Sequence, residues 1–299
     1  MNITKSFVLP ALVLFAMVSS SCNKTETPDP VPVPTGPFIK FVFKFDSTQV
    51  RLDNLGNPAG VKPGNDAQSP VFNFMSAHYV EMTPNEFTGL GAGAVLYKAP
   101  ETSIGGATAI DFDQSTFAGQ GQTFVSVPIS SFAAGTYNWL RVSLAYQNYD
   151  IKFRSAGVNY TGTLASFIGF RTYVHDYKIK TSTVPVNANK DQGYWGFETN
   201  VPGVGNFVNT GQAPAGATTV PNPLFATSPI PAGSCLVTGK FAAPLVITGN
   251  ETSDITIIVS LSTNKSFEWK EISGPGTFDP ADGDYAVDMG IRGMIPTKQ

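Results

Sequence analysis

From Phe38 to Asp46 the chain reads FIKFVFKFD, with Ile39, Phe41, Phe43 and Phe45 in one phase and Lys40 and Lys44 in the other. Alternation at a period of two places one row of side chains on each face of an extended strand. It does not fit the 3.6-residue period of an amphipathic helix. The pattern recurs along the chain. Residues 71–82 carry Phe72, Phe74, His78, Val80 and Met82 in phase, and Thr123–Ile129 is a shorter copy. Leu140, Val142, Leu144 and Tyr146 share a phase that Ile151 and Phe153 continue. Phe170–Lys180, Tyr194–Glu198, Ser266–Trp269 and Tyr285–Met289 are further candidates, and Ile255, Ile257, Val259 and Leu261 form the most regular run. No helical period extends beyond two turns. The expectation is an all-β fold, an antiparallel β-sandwich of roughly ten to twelve strands. Residues 200–233 are dense in Pro, Gly, Asn and Thr, so they mark either a long excursion or the point where two packed β subdomains divide.

The first residues differ in kind. MNITK carries one lysine and no acid, an apolar run follows from Phe7 to Val18, and Ser19, Ser20 and Ser21 precede Cys22. Basic, apolar, then small is the order of an export signal. The run is short of the ~20 apolar residues that span a bilayer. Small residues directly before a cysteine point to cleavage there and acylation of Cys22, although Ser19 stands where a lipobox usually has leucine. Residues 1–21 are thus read as a lipoprotein signal peptide and 22–37 as a lipidated cysteine and tether. Prolines at 28, 30, 32, 34 and 37 favour polyproline II, in which about ten residues reach ~30 Å. Residues 38–299 then form the β domain.

Loss of Lys5 with the signal leaves 18 basic against 22 acidic side chains, a net charge of −4, with no basic run. A nucleic-acid partner is not expected. With Cys22 acylated, Cys235 is the remaining thiol, so apolar burial rather than a disulfide must hold the fold. Cys235 alternates with Val237 and Phe241 and reads as a buried small apolar residue, not as a reactive thiol.

Familiar catalytic signatures are absent from the sequence: there is no HExxH, CxxC, P-loop, GxGxxG or GxSxG. No catalytic residue is assigned. Two metal readings remain. His78 and His175 could bind copper if the fold brought them together, against the plainer reading of two structural histidines. Asp279, Asp282, Asp284 and Asp288 in DPADGDYAVD supply hard oxygen ligands for calcium, but Asp-Gly-Asp is also an ordinary turn and the spacing is not that of an EF-hand. Tyr194, Trp195 and Phe197 offer a binding surface, Trp195 and Phe197 on one strand face and Tyr194 on the other; flat rings on a β surface stack against sugars. Trp139, Tyr146 and Tyr149 mark a second aromatic region, and Trp269 reads as a core residue at a strand end.

The SSSCNK segment, the Pro-rich tether and the low-charge, Phe- and Gly-rich body resemble exported lipoproteins of Bacteroidota. Over residues 38–146 the order FVFKFD, AHYVEM, IDF and VPISSFAAGTYNWLRVSLA resembles in layout the methanobactin-associated, copper-binding lipoprotein family. That family implies a β fold and metal binding, but the histidine-rich ligation it leads one to expect is not evident here, so no metal residue is carried over. The sequence therefore predicts a non-enzymatic lipoprotein anchored to the outer membrane or cell surface. Its expected partners are the membrane, through the lipid, and a glycan or envelope protein. A copper or calcium accessory protein and an assembly protein are the alternatives.

Overall fold

The computed structural model describes residues 35–213, 234–272, 274 and 276–299. The signal segment, Cys22 and the tether up to Pro34 lie outside the described residues. So does most of the Pro- and Gly-rich excursion, residues 214–233.

The strands form a central sheet flanked on both faces. The central sheet runs β14 (Gly205–Gln212), β13 (Tyr194–Val201), β10 (Val158–Phe167), β9 (Gly135–Ser155), β3 (Val71–Thr83) and β4 (Ala94–Lys98). β15 (Cys235–Ile247) pairs with the first half of β9, and β7 (Phe117–Gly119) pairs with β3. One outer sheet contains β19 (Met294–Lys298), β16 (Ile255–Ser262), β1 (Phe38–Asp46) and β8 (Thr123–Pro128). A second contains β12 (Thr183–Lys190), β11 (Thr172–Lys178), β6 (Ala109–Asp111) and β5 (Glu101–Thr102). The smallest contains β18 (Tyr285–Met289), β17 (Phe267–Lys270) and β2 (Asn65–Gln68). Residues 35–299 form one compact unit. Among the described residues no helix is long and apolar enough to cross a membrane.

The all-β expectation holds, with two refinements. Several short strands of two to five residues, β2, β5, β6 and β7 among them, raise the number above the expected dozen. Among the described residues two pairings are parallel: β1 with β16, and β6 with β11. The first joins Ile39 to Ile255 and Phe45 to Leu261, closing the fold between its two ends in sequence.

The core lies in two layers. Ile39, Phe41 and Phe43 of β1 meet Leu140, Val142 and Leu144 of β9 and Ile257 and Val259 of β16 in the larger one. On the opposite face of the central sheet, Tyr146, Phe167, Val174 and Tyr177 form a second cluster beneath β11 and β12. β3, β9 and β10 are therefore covered on both sides, and their burial runs almost without a break instead of alternating. β1 and β16, in an outer layer, keep the alternation. Cys235 and Trp269 are core residues, as expected. Burial pushes the Cys235 thiol up to about 12, consistent with its structural role. Tyr146 and Tyr149 are also buried, on opposite faces, so these two members of the second aromatic region are core, while Trp139 is half-buried.

Candidate functional site

β13 carries YWGF between two layers, and its alternation separates the three aromatic residues. Tyr194 is buried in the second core cluster, with the Lys190 ammonium 4.3 Å from its ring centroid. It is not part of a surface platform. Trp195 and Phe197 point to the other face and are half-buried. There they line an apolar cleft of about 510 Å³, a size typical of small-molecule sites.

The floor of the cleft comes from Ile151 and Phe153 of β9 and Leu164 of β10. Phe278 and Met289 form the facing wall, and β14 closes one side. Asn209 and Gln212, both on β14, are the two polar lining residues; Asn209 shares the strand face of Phe197, whereas Gln212 stands opposite Tyr194 and its Nε2 donates to Gln192 O at 2.9 Å. Phe153 meets Phe197 edge to face at 5.5 Å and stacks with Tyr160 at 5.5 Å, so the aromatic strip extends across three strands.

Two glycines set the rings flat. Gly211 stands opposite Trp195 in the β13–β14 ladder, and a Cβ there would lie 2.6 Å from the indole. A Cβ on Gly162 of β10 would lie 2.2 Å from the Phe197 ring. Both rings thus rest on bare backbone of the neighbouring strands. Sequence reading missed this, because the pairing that brings Gly162 and Gly211 under the rings is spatial.

The aspartate cluster shapes the facing wall. Arg154 Nε donates to Asp279 Oδ2 at 2.9 Å, and the Arg154 backbone N–H donates to Phe278 O at 2.8 Å, fastening the wall to β9. Asp284 accepts from the backbone N–H groups of Ile272 and Asp279, at 2.8 Å each. Asp288 pairs with Arg292 at 2.7 Å, and Asp282 sits exposed on a single 3₁₀ turn that ends in Gly283 at φ +109°. Three of the four carboxylates are thus engaged by the protein's own donors, and Asp-Gly-Asp lies on a turn.

The histidines stay apart in role. His78 is fully buried, its Nε2 2.9 Å from Glu101 Oε1 and its ring stacked on Phe170. His175 is exposed beside Asp176 at 3.0 Å. Each sits at a β-bulge. Bulges along β3 also break the phase expected from the sequence: Phe72, Val80 and Met82 face the larger core, whereas Phe74 packs into the second. Among the described residues no three His, Cys, Asp or Glu side chains are placed to hold a metal ion.

Glu198 follows Phe197 and turns back toward the second layer. Its carboxylate accepts from the Lys180, Thr181 and Ser182 backbone N–H groups at 2.9–3.1 Å, and from the Thr181 hydroxyl and Asn206. Burial raises its pKa, but these donors outweigh it and hold the group at about 2. It fixes the turn between β11 and β12 to the strand that bears the aromatic pair. At neutral pH it is a carboxylate held by these donors.

No protein-family model matches the chain, and no curated protein or solved structure matches it significantly.

Proposed function

We propose that this chain is an envelope lipoprotein that captures a ligand in the cleft of Trp195 and Phe197 without transforming it. The observation that carries the reading is the pair of aromatic rings laid on the glycines of the neighbouring strands at the wall of an apolar cleft. A sugar ring suits this seat first: its apolar face stacks on the indole, and the Asn209 amide, on the same strand face, meets its hydroxyls. The anchor is the acylated Cys22, supported by the basic, apolar and serine segments that precede it; two or more acyl chains are what stable anchoring takes.

The apolar floor favours a second reading, in which the guest is an acyl chain or another lipid-like molecule. A glycan array probed with residues 23–299, alongside a panel of fatty acids, distinguishes them. Retention of glycans by the parent and not by a Trp195→Ala variant supports the first reading. Fatty-acid binding alone supports the second, and binding unchanged in the variant removes the cleft from both. For the anchor, palmitate labelling of cells is expected to mark the parent chain and not a Cys22→Ala variant.

A further inference from the structure

Part of the second core cluster is open to solvent. Phe74 of β3, Phe112 just past β6, Phe117 of β7 and Tyr146 of β9 meet there, neighbouring ring centroids lying 5.1–5.9 Å apart. Tyr146 is buried and the three phenylalanines are half-buried. Together they line a bowl of about 580 Å³, within the range of small-molecule sites. The bowl lies on the opposite face of the central sheet from the Trp195 cleft. None of its lining residues adjoins a segment outside the described residues.

The mouth of the bowl is rich in donors. Gln120 and Gln122 follow β7 in the turn to β8, and β1 holds this turn in place. Phe43 N–H donates to Gln122 O at 3.1 Å, and Gly121 N–H donates to Phe43 O at 2.8 Å. The two side-chain oxygens are also occupied: Phe45 N–H donates to Gln120 Oε1 at 2.6 Å and Gly119 N–H to Gln122 Oε1 at 2.8 Å. Each amide keeps its Nε2 as a donor. Asn73 donates its Nδ2 to Asn148 Oδ1 at 2.8 Å. Lys178, the last residue of β11, adds an exposed cation, and among the described residues no carboxylate lines the bowl. Its charged neighbours in sequence pair elsewhere, Asp176 with His175 at 3.0 Å and Lys180 with Asp150 at 3.3 Å. Among the described residues Lys178 has no ion-pair partner.

We propose that this bowl is a second ligand site, which takes a small carboxylate with a flat aromatic body. The body enters beside Phe74 and Phe117, whose rings stand at 88° and so offer a face and an edge to a further ring. The carboxylate stays at the mouth, where the Lys178 ammonium and the glutamine amides meet it. Charge complementarity selects the anion: an amine would meet Lys178 with like charge, and a neutral body would leave that charge uncompensated.

Fluorine NMR with 4-fluorophenylacetate as the probe tests this on the detergent-solubilised full chain. The parent is expected to broaden and shift the probe resonance beyond the effect of detergent alone, and added salt is expected to weaken the binding. Neutral 4-fluorophenylacetamide is expected to bind about fivefold more weakly, the scale of one exposed ion pair. Lys178→Met is expected to bring the acid down to the affinity of the amide, and Lys178→Arg to restore it. Trp195→Ala, on the other face of the sheet, is expected to leave the binding unchanged. A parent that does not respond would overturn the proposal, as would an amide that binds as tightly as the acid. Binding that survives Lys178→Met, or that is lost in Trp195→Ala, would place the probe elsewhere and overturn it equally.

Discussion

The indole of Trp195 lies across Gly211 of the neighbouring strand, at a point where any Cβ would come within 2.6 Å of the ring. The absence of one side chain thus determines the attitude of another, and with it the shape of the cleft. A Gly211→Val variant is expected to lift the indole and to lose roughly 1–3 kcal/mol through overpacking. Tryptophan fluorescence together with a thermal melt checks both effects; an unchanged emission spectrum would show that the ring does not rest where the structure places it.

A buried ion pair fastens the loop between β3 and β4. Arg141 reaches Glu81 at 3.1 Å and the carbonyls of Glu86 and Thr88, while the Tyr79 hydroxyl and the Gly91 N–H donate to Glu81. Glu81 and Arg141 are at most 1% exposed. Removing one partner strands a charge in the core, so Glu81→Leu is expected to cost about 3–5 kcal/mol and to lower the melting temperature by on the order of 10 °C. The double variant Glu81→Leu, Arg141→Met is expected to recover much of this. If the double variant is as unstable as the single one, the loss comes from the loop contacts and not from the stranded charge.

Burial lowers the pKa of His78, and this outweighs the opposing hydrogen bond and charge of Glu101; the Lys98 ammonium acts in the same direction as burial. The folded protein therefore binds fewer protons at this site than the unfolded chain does. Stability is expected to be full above the ordinary histidine value of about 6.5 and to fall as the pH drops below it. Chemical denaturation of the parent and a His78→Gln variant between pH 7 and 5 checks this; a parallel decline in the two would assign the effect elsewhere.

Glu198 acts lower on the scale. Its folded pKa of about 2 lies below the usual carboxylate value, so its contribution is present above about pH 4.5 and is lost as the pH falls toward 2. The shift corresponds to up to about 3 kcal/mol. A Glu198→Gln variant is expected to be less stable at pH 7 and to have a shallower acid limb. An acid limb as steep as the parent's would show that the Thr181 cradle does not bind an anion.

Legibility followed burial. β1 and β16 lie in an outer layer, one face in and one face half-open, and their period of two survives in the sequence. β10 escaped notice because layers on both sides bury it, leaving GTLASF with no polar phase. β14 escaped for the opposite reason, being exposed on both faces. At the site, alternation alone was enough to set Trp195 and Phe197 apart from Tyr194. Gly162, Gly211 and the Arg154–Asp279 contact were not legible, because they depend on which strands become neighbours. The same holds for the acidic residues near the C-terminal end, whose spacing resembles a metal loop but whose donors come from Arg154, Arg292 and the backbone.

The central claim is that the cleft beside Trp195 is the ligand seat. Fluorine NMR of protein labelled with 5-fluorotryptophan resolves Trp139, Trp195 and Trp269 as three reporters. Titration with a glycan retained on the array is predicted to move the Trp195 resonance while leaving buried Trp269 in place. Saturating ligand that leaves Trp195 unmoved would contradict the account.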